Sequence, residues 1–192
     1  MSARVEPEWQ MVTLAFVDIR GFTSFSDRST ARVAVDYLNE FFELVIPVVT
    51  DHGGHVNKLT GDGLLAVFGS PDHADVALAA GEEILAAVES QFGDRCRIGI
   101  GINSGLVLIG TVGGGGFTEV AVIGDPVNVA ARVQDATRDL GEELLLTEAT
   151  HCLLDGPDDG LVERSRLTLR GKPKPVAVYG LSSRNGSRTP AA

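Results

Sequence analysis

The chain has 192 residues, 44% of them hydrophobic, and a formal net charge of -10. That length and apolar content are enough for one domain with a full core. The acidic balance, with no concentrated basic patch, excludes the usual nucleic-acid binder and an anionic membrane surface, but not a nucleotide, whose charge metal ions and a few placed cations offset locally.

Residues 1–10 are polar and read as a frayed N-terminal extension. The apolar run at 12–18 predicts a first strand. Ser29 or Thr30 then caps a long helix whose Val33, Tyr37, Phe41 and Val45 recur every four residues. Pro47 is expected to kink that helix, and Gly53-Gly54 to end it. Segments 55–59 and 64–68 predict a hairpin around Gly61-Asp62-Gly63. Ser70-Pro71-Asp72 opens a second long helix, with Ser at the cap and Pro in the first turn. Residues 96–102 alternate strictly and predict a strand with one face buried, with 105–112 as its hairpin partner. Residues 113–116 form a glycine tip before a strand at 117–123. Asp125-Pro126 starts a helix to about residue 138. Strands follow at 143–146, 161–169 and 175–181, with a short helix at 149–154. Residues 183–192 read as a disordered tail. The order predicts an α+β domain over residues 11–182: a ferredoxin-like α/β sandwich with a mostly antiparallel sheet, helices on one face, and a C-terminal strand pair.

Cys96 reads as a core residue, and neither it nor Cys152 belongs to a metal-spaced cluster or a disulfide framework. His52, His55, His73 and His151 are scattered. No secretory segment and no apolar stretch long enough to span a bilayer is visible, so the chain reads as cytoplasmic and reduced.

Two aspartates carry the functional signal. Asp18 closes the run Leu14-Ala15-Phe16-Val17, and Asp62 precedes the run Leu64-Leu65-Ala66-Val67-Phe68. Carboxylates at the edge of a buried sheet are partly desolvated and repel each other when brought together. A divalent cation resolves both problems, and oxygen-only donors suit Mg²⁺ or Mn²⁺. Each residue also has a plain alternative: Asp62 as a hairpin turn residue and Asp18 as a helix cap. Asn128 and Arg132 lie four apart on one helical face, where an amide and a guanidinium suit a ribose and a phosphoryl group; Arg132 pairing with Asp135 is the alternative. Lys58 reads either as a ligand contact or as edge-strand solubility, and Arg170, Lys172 and Lys174 as a phosphate-binding or a solvated cluster. Gly113–Gly116 lacks the Gly-Lys-Ser/Thr of a Walker loop, and Gly99-Ile100-Gly101 lies inside a strand, so neither is a nucleotide fingerprint.

Four ordered segments resemble the class III nucleotidyl cyclase catalytic domain. They are Phe16-Val17-Asp18-Ile19-Arg20-Gly21-Phe22-Thr23, the stretch from Asn57 to Gly69 around Gly61-Asp62-Gly63, Gly99-Ile100-Gly101-Ile102-Asn103-Ser104-Gly105, and Val122-Ile123-Gly124-Asp125-Pro126-Val127-Asn128-Val129-Ala130-Ala131-Arg132. The resemblance implies that Asp18, Asp62 and the Ile19 carbonyl hold two ions, Mg²⁺ or Mn²⁺. It implies that the backbone N–H groups of Gly21, Phe22 and Thr23 cradle the terminal phosphates, that Lys58 reads the purine, that Asn128 orients the ribose and that Arg132 stabilises the α-phosphate. It further implies a homodimer in which Asp18 and Asp62 of one chain face Lys58, Asn128 and Arg132 of the other, and ATP as the substrate of an adenylyl cyclase making 3′,5′-cyclic AMP. Where relatives carry Asp, Thr or Ser at the base, this chain has Ala121, whose methyl offers no hydrogen bond, so weakened purine selection is expected. Relatives often place an arginine in the loop at 113–116; here Arg170 or Lys172 is expected to take that load. A guanylyl cyclase and a non-catalytic nucleotide-binding or dimerisation module are the alternatives.

Overall fold

The computed structural model describes residues 5–156, 160–169 and 171–182. The expected tail at 183–192 lies outside the described residues, as does Arg170. The chain order is β1 (Glu8–Ile19), α1 (Phe22–Ser26), α2 (Ala31–Asp51), β2 (His55–Leu59), β3 (Gly63–Phe68), α3 (His73–Phe92), β4 (Ile98–Gly114), β5 (Phe117–Ile123), α4 (Asp125–Leu140), β6 (Leu144–Thr147), α5 (Glu148–His151), β7 (Leu161–Leu167) and β8 (Val176–Leu181). The strands form one sheet in the order β2-β3-β1-β4-β6-β8-β7, with β5 paired to β4. Only the β4–β6 pairing is parallel, so the expected α+β class with a mostly antiparallel sheet is what the chain adopts.

The helix through Pro47 spans Ala31 to Asp51, the extent expected. Other features differ from the sequence reading. Residues 8–10, expected to fray, pair in β1 opposite Ile109, Leu108 and Val107. Residues 98–112 are not a hairpin: β4 runs unbroken and pairs with β1 from Glu8↔Ile109 to Ile19↔Ile98. Asn103-Ser104-Gly105 carries turn residues but lies in mid-strand. Its polar side chains find partners far away in sequence, Asn103 at Pro126 and Thr147, and Ser104 at Thr13 and Thr150.

Alternation on the central strands sends side chains to two separate cores. Ala15, Val17, Ile19, Ile98, Ile100 and Ile102 pack against Phe41, Val45, Ala77, Ala80 and Ile84 of α2 and α3. Val12, Leu14, Leu65 and Val107 pack on the other side with Ala130 of α4. The one-face arrangement thus holds for α2 and α3, whereas α4 covers the opposite face. The cause is a glycine row on β4. A Cβ at Gly101 would land 2.5 Å from Gln134 Cα and 2.6 Å from the Ala130 carbonyl oxygen. One at Gly105 would land 2.5 Å from Pro126 Cγ. The helix lies on bare main chain. Both faces of β4 are therefore buried from Ile98 to Ser104, unlike the half-buried strand expected. Gly101→Ala is expected to destabilise the domain by about 2–3 kcal/mol, as overpacking against backbone does, and to lower the urea midpoint without changing the slope. An unchanged midpoint would contradict this contact.

Candidate active site

Asp18 ends the apolar part of β1, paired across the sheet with Gly63 and Gly99. The turn Thr60-Gly61-Asp62 brings the second aspartate to the same place. Thr60 N–H donates to the Gly63 carbonyl at 2.8 Å, and Gly61 takes a left-handed φ of 80°. Ile19 N–H donates to the Asp62 carbonyl at 3.3 Å, which ties this turn to the residue after Asp18. A Cβ at Gly63 would lie 2.9 Å from Asp18 Oδ1, so glycine there leaves room for the carboxylate. The Asp18 carboxyl is pushed up from 3.8 to about 6, first by burial and then by the negative charge of Asp62. Arg138 of α4 pulls it back down and Asp135 adds to the rise. Two half-buried carboxylates, the charge of Asp62 opposing the ionisation of Asp18, with the Ile19 backbone beside them, are an oxygen-only donor set suited to a divalent cation. Among the described residues no group of three or more His, Cys, Asp or Glu side chains is placed to hold a metal. A cation here would complete its shell from backbone, water or substrate.

Gly21 follows with a left-handed φ of 74° and opens α1. The first-turn amides of a helix have no partner within it, which leaves Phe22 and Thr23 with N–H groups to offer an anion. This short helix is pinned by aromatic packing: Phe25 lies 4.9 Å from Tyr37, ring centre to ring centre, and Tyr37 lies 5.6 Å from Phe92.

The remaining predicted residues lie on α4, on β2 and β5, and in the segment before β8. Asn128 is exposed and Arg132 half-buried on α4. Asp18 senses Asp135 and Arg138, at the far end of that helix. Asn128 precedes Arg138 by ten residues, about 15 Å along the axis at 1.5 Å per residue. Lys172 forms an ion pair with Asp125 at the start of α4, so it joins the Asn128 end rather than the aspartates of its own chain. Lys58 is exposed on β2 and Ala121 half-buried on β5. The neighbouring Asn57 side chain donates to the Val120 carbonyl at 2.8 Å and draws these two segments together. One protomer therefore assembles Asp18, Ile19 and Asp62 at one end of α4, and Asn128 with Lys172 at the other.

Two residues had no assigned role in the sequence. Arg20, half-buried and lowered in pKa mainly by that burial, donates to the carbonyls of Thr137 and Glu142 and so locks the end of β1 to the C-terminal end of α4. Asn103 does the same at the other end, donating to the Pro126 carbonyl at 3.0 Å. Its signal was a polar residue in the position that glycine holds at 99, 101 and 105 of the alternating strand.

Residues 5–183 match the adenylate and guanylate cyclase catalytic domain. An adenylate cyclase of Anabaena cylindrica is 31% identical over 183 residues, which cover 88% of this chain and 36% of that protein. The crystal structure of the adenylyl cyclase CyaB from P. aeruginosa superposes with a TM-score of 0.81 at 25% identity, covering 95% of this chain and 100% of that one. That of the guanylyl cyclase Cya2 superposes with a TM-score of 0.79 at 26% identity, covering 95% and 98%. The chain spans about a third of the length of the first curated relatives it matches. With this match over nearly its whole length, the chain belongs to the adenylate and guanylate cyclase catalytic domain family.

Proposed function

We propose that this domain is an adenylyl cyclase that converts ATP to 3′,5′-cyclic AMP and pyrophosphate at two equivalent sites shared across a homodimer. The observation that carries the reading is the separation along α4. The aspartate pair and Asn128 lie at opposite ends of one helix, so neither half completes the other within a chain, and a two-fold partner would supply the missing half to each.

In this scheme Asp18, Asp62 and the Ile19 carbonyl hold the cations, Mg²⁺ or Mn²⁺, and the Gly21-Phe22-Thr23 amides receive the terminal phosphates. When bound, the cations supply the positive charge that makes the ribose 3′-hydroxyl acidic and neutralises the leaving group. The 3′-hydroxyl gives its proton to solvent, and its oxygen forms a bond to the α-phosphorus as the bond from that phosphorus to the pyrophosphate oxygen breaks. Asn128 holds the ribose in line, and Arg132 stabilises the charge on the α-phosphate oxygens. Lys172, and Arg170 beside it in sequence, bring cations to the phosphates from the partner's side.

Lys58 and the resemblance to a named adenylate cyclase support ATP. Ala121 supports a relaxed choice, since its methyl cannot hydrogen-bond a purine edge. Two free cysteines, Cys96 buried and Cys152 exposed, fit a reducing compartment. No helix among the described residues is long and apolar enough to cross a membrane.

Purified protein with Mn²⁺ is expected to form cyclic AMP from ATP, more slowly cyclic GMP from GTP, and neither once Asp62→Ala is introduced. Product from GTP alone would make the domain a guanylyl cyclase, and no product from either would leave a nucleotide-binding module. Asp18→Ala and Arg132→Ala proteins are each expected to be inactive, yet to recover about a quarter of wild-type activity when mixed in equal amounts. Half the dimers are then heterodimers with one intact site. Heterodimers that form without any activity would contradict the shared site.

The raised Asp18 carboxyl gives a pH test. Between pH 3.8 and about 6 the folded chain holds a proton that the unfolded chain has lost, so metal-free stability falls as pH rises through that window. A cation that binds the ionised pair reverses this. Mn²⁺ is expected to raise the melting temperature more at pH 7.5 than at pH 5, whereas metal-free Asp18→Asn should melt above wild type at pH 7.5 and respond little to Mn²⁺. Equal gains at both pH values would count against the aspartate pair as the cation site.

A further inference from the structure

The cyclase reading uses the surface of α4; the interior beneath its first turn holds something that reading does not use. Seven polar residues are buried among the described residues, and six of them, Thr13, His73, Asn103, Ser104, Thr147 and Thr150, form one connected hydrogen-bond chain. It crosses the sheet from His73, the first residue of α3, to the Pro126 carbonyl in the first turn of α4. We propose that this chain sets the position of the first turn of α4, and that Asn103 is the positioning residue for Asn128, which that turn carries. The proposal rests on the cyclase reading for its catalytic consequence only.

The polarity of the chain follows from its two ends. A carbonyl can only accept, so Asn103 presents its NH₂ group to Pro126 at 3.0 Å and its Oδ1 to Thr147 at 2.8 Å. The Thr147 hydroxyl has one hydrogen and gives it to Asn103. Thr150 then donates to Thr147 at 3.4 Å, Ser104 to Thr150 at 3.0 Å, and Thr13 to Ser104 at 2.7 Å. The Thr13 oxygen is left to accept from His73 Nδ1 at 2.7 Å, so Nδ1 carries the hydrogen. One direction runs through all six residues, and no side-chain atom of the chain is buried without a partner. A fully satisfied buried network selects one geometry and is disrupted when any member is lost.

α4 needs such an anchor. No side chain caps its N-terminus, and Pro126 brings no N–H. Gly105 lets the Pro126 ring rest on β4, and the Lys172–Asp125 ion pair holds the outside. Among the described residues, Asn103 alone is seen to grip the turn from within by a side-chain hydrogen bond, itself 4% exposed.

The test compares Asn103→Leu, which keeps the volume and loses both bonds, with Ile84→Ala, a cavity in the opposite core. For Asn103→Leu, kcat per folded protein is expected to fall about 100-fold, the scale of a roughly 1 Å misplacement, while KM and the Mn²⁺ midpoint at the distant aspartates stay at wild-type values. Ile84→Ala should leave kcat of the folded protein unchanged. Equal losses in both variants, or an unchanged kcat in Asn103→Leu, would overturn the proposal. If wild-type protein makes no cyclic nucleotide, the cyclase reading fails, and hydrogen exchange still decides this one. The amides of Val129 and Ala130, which donate to first-turn carbonyls, should exchange faster in Asn103→Leu while those near Leu140 do not; unchanged exchange would overturn the anchor. In wild-type protein labelled with ¹⁵N-histidine and assigned with His73→Asn, the His73 Nδ1 resonance should be that of a protonated nitrogen. A bare Nδ1 with a protonated Nε2 would break the chain at its first link.

Discussion

A helix that rests on bare main chain has little freedom to slide. α4 contacts β4 where Gly99, Gly101 and Gly105 present no side chain, and a methyl at Gly101 would already meet its backbone. That close approach sets the height of the helix over the sheet, and one half-buried and one buried side chain fix its ends. Arg20 holds the carbonyls of Thr137 and Glu142 at one end, and Asn103 holds Pro126 at the other. The distance between the aspartate pair and Asn128 is therefore built into the fold. On the proposed reading, this separation is what divides the active site between two chains.

The carboxyl of Asp18 is itself a cost to the folded chain. Burial and the charge of Asp62 push it to about 6, and the Arg138 charge offsets only part of this. The net charge of -10 adds no relief of its own. Strain of this kind, held where a ligand would remove it, is the pattern expected of a binding site. The same logic explains Gly63, whose missing side chain leaves space for Asp18 Oδ1.

Much of this was legible from the residues. Asp18 closes one apolar run and Asp62 stands between glycines before another, and those local signals placed each at a strand end; the pairing of β1 with β3 that brings them together is what the structure adds. The hairpin at β2 and β3, the start of α4 and the closing strand pair followed from turn residues and alternation in the same way. The long strand β4 did not. Asn103-Ser104-Gly105 has the chemistry of a turn, and only partners more than 20 residues away in the chain satisfy it within a strand. The second face of the sheet was missed for a related reason. The alternation of glycine with isoleucine from 99 to 102 was visible, but a glycine row reads as an exposed face until a helix is known to lie on it. Lys172 shows the limit again, since its position depends on an ion pair with Asp125 that no local pattern encodes.

The central claim is that each aspartate pair faces the Asn128 of a neighbour. Its most direct measurement needs no turnover. Protein carrying both Asp18→Ala and Asp62→Ala, labelled with ¹⁵N, is mixed with unlabelled wild type, and Mn²⁺ is added with an ATP analogue that cannot cyclise. The paramagnetic ion, bound only in the unlabelled protomer, should broaden the Asn128 side-chain amide of the labelled one. Sharp Asn128 signals in a mixed dimer that has bound Mn²⁺ would contradict the account.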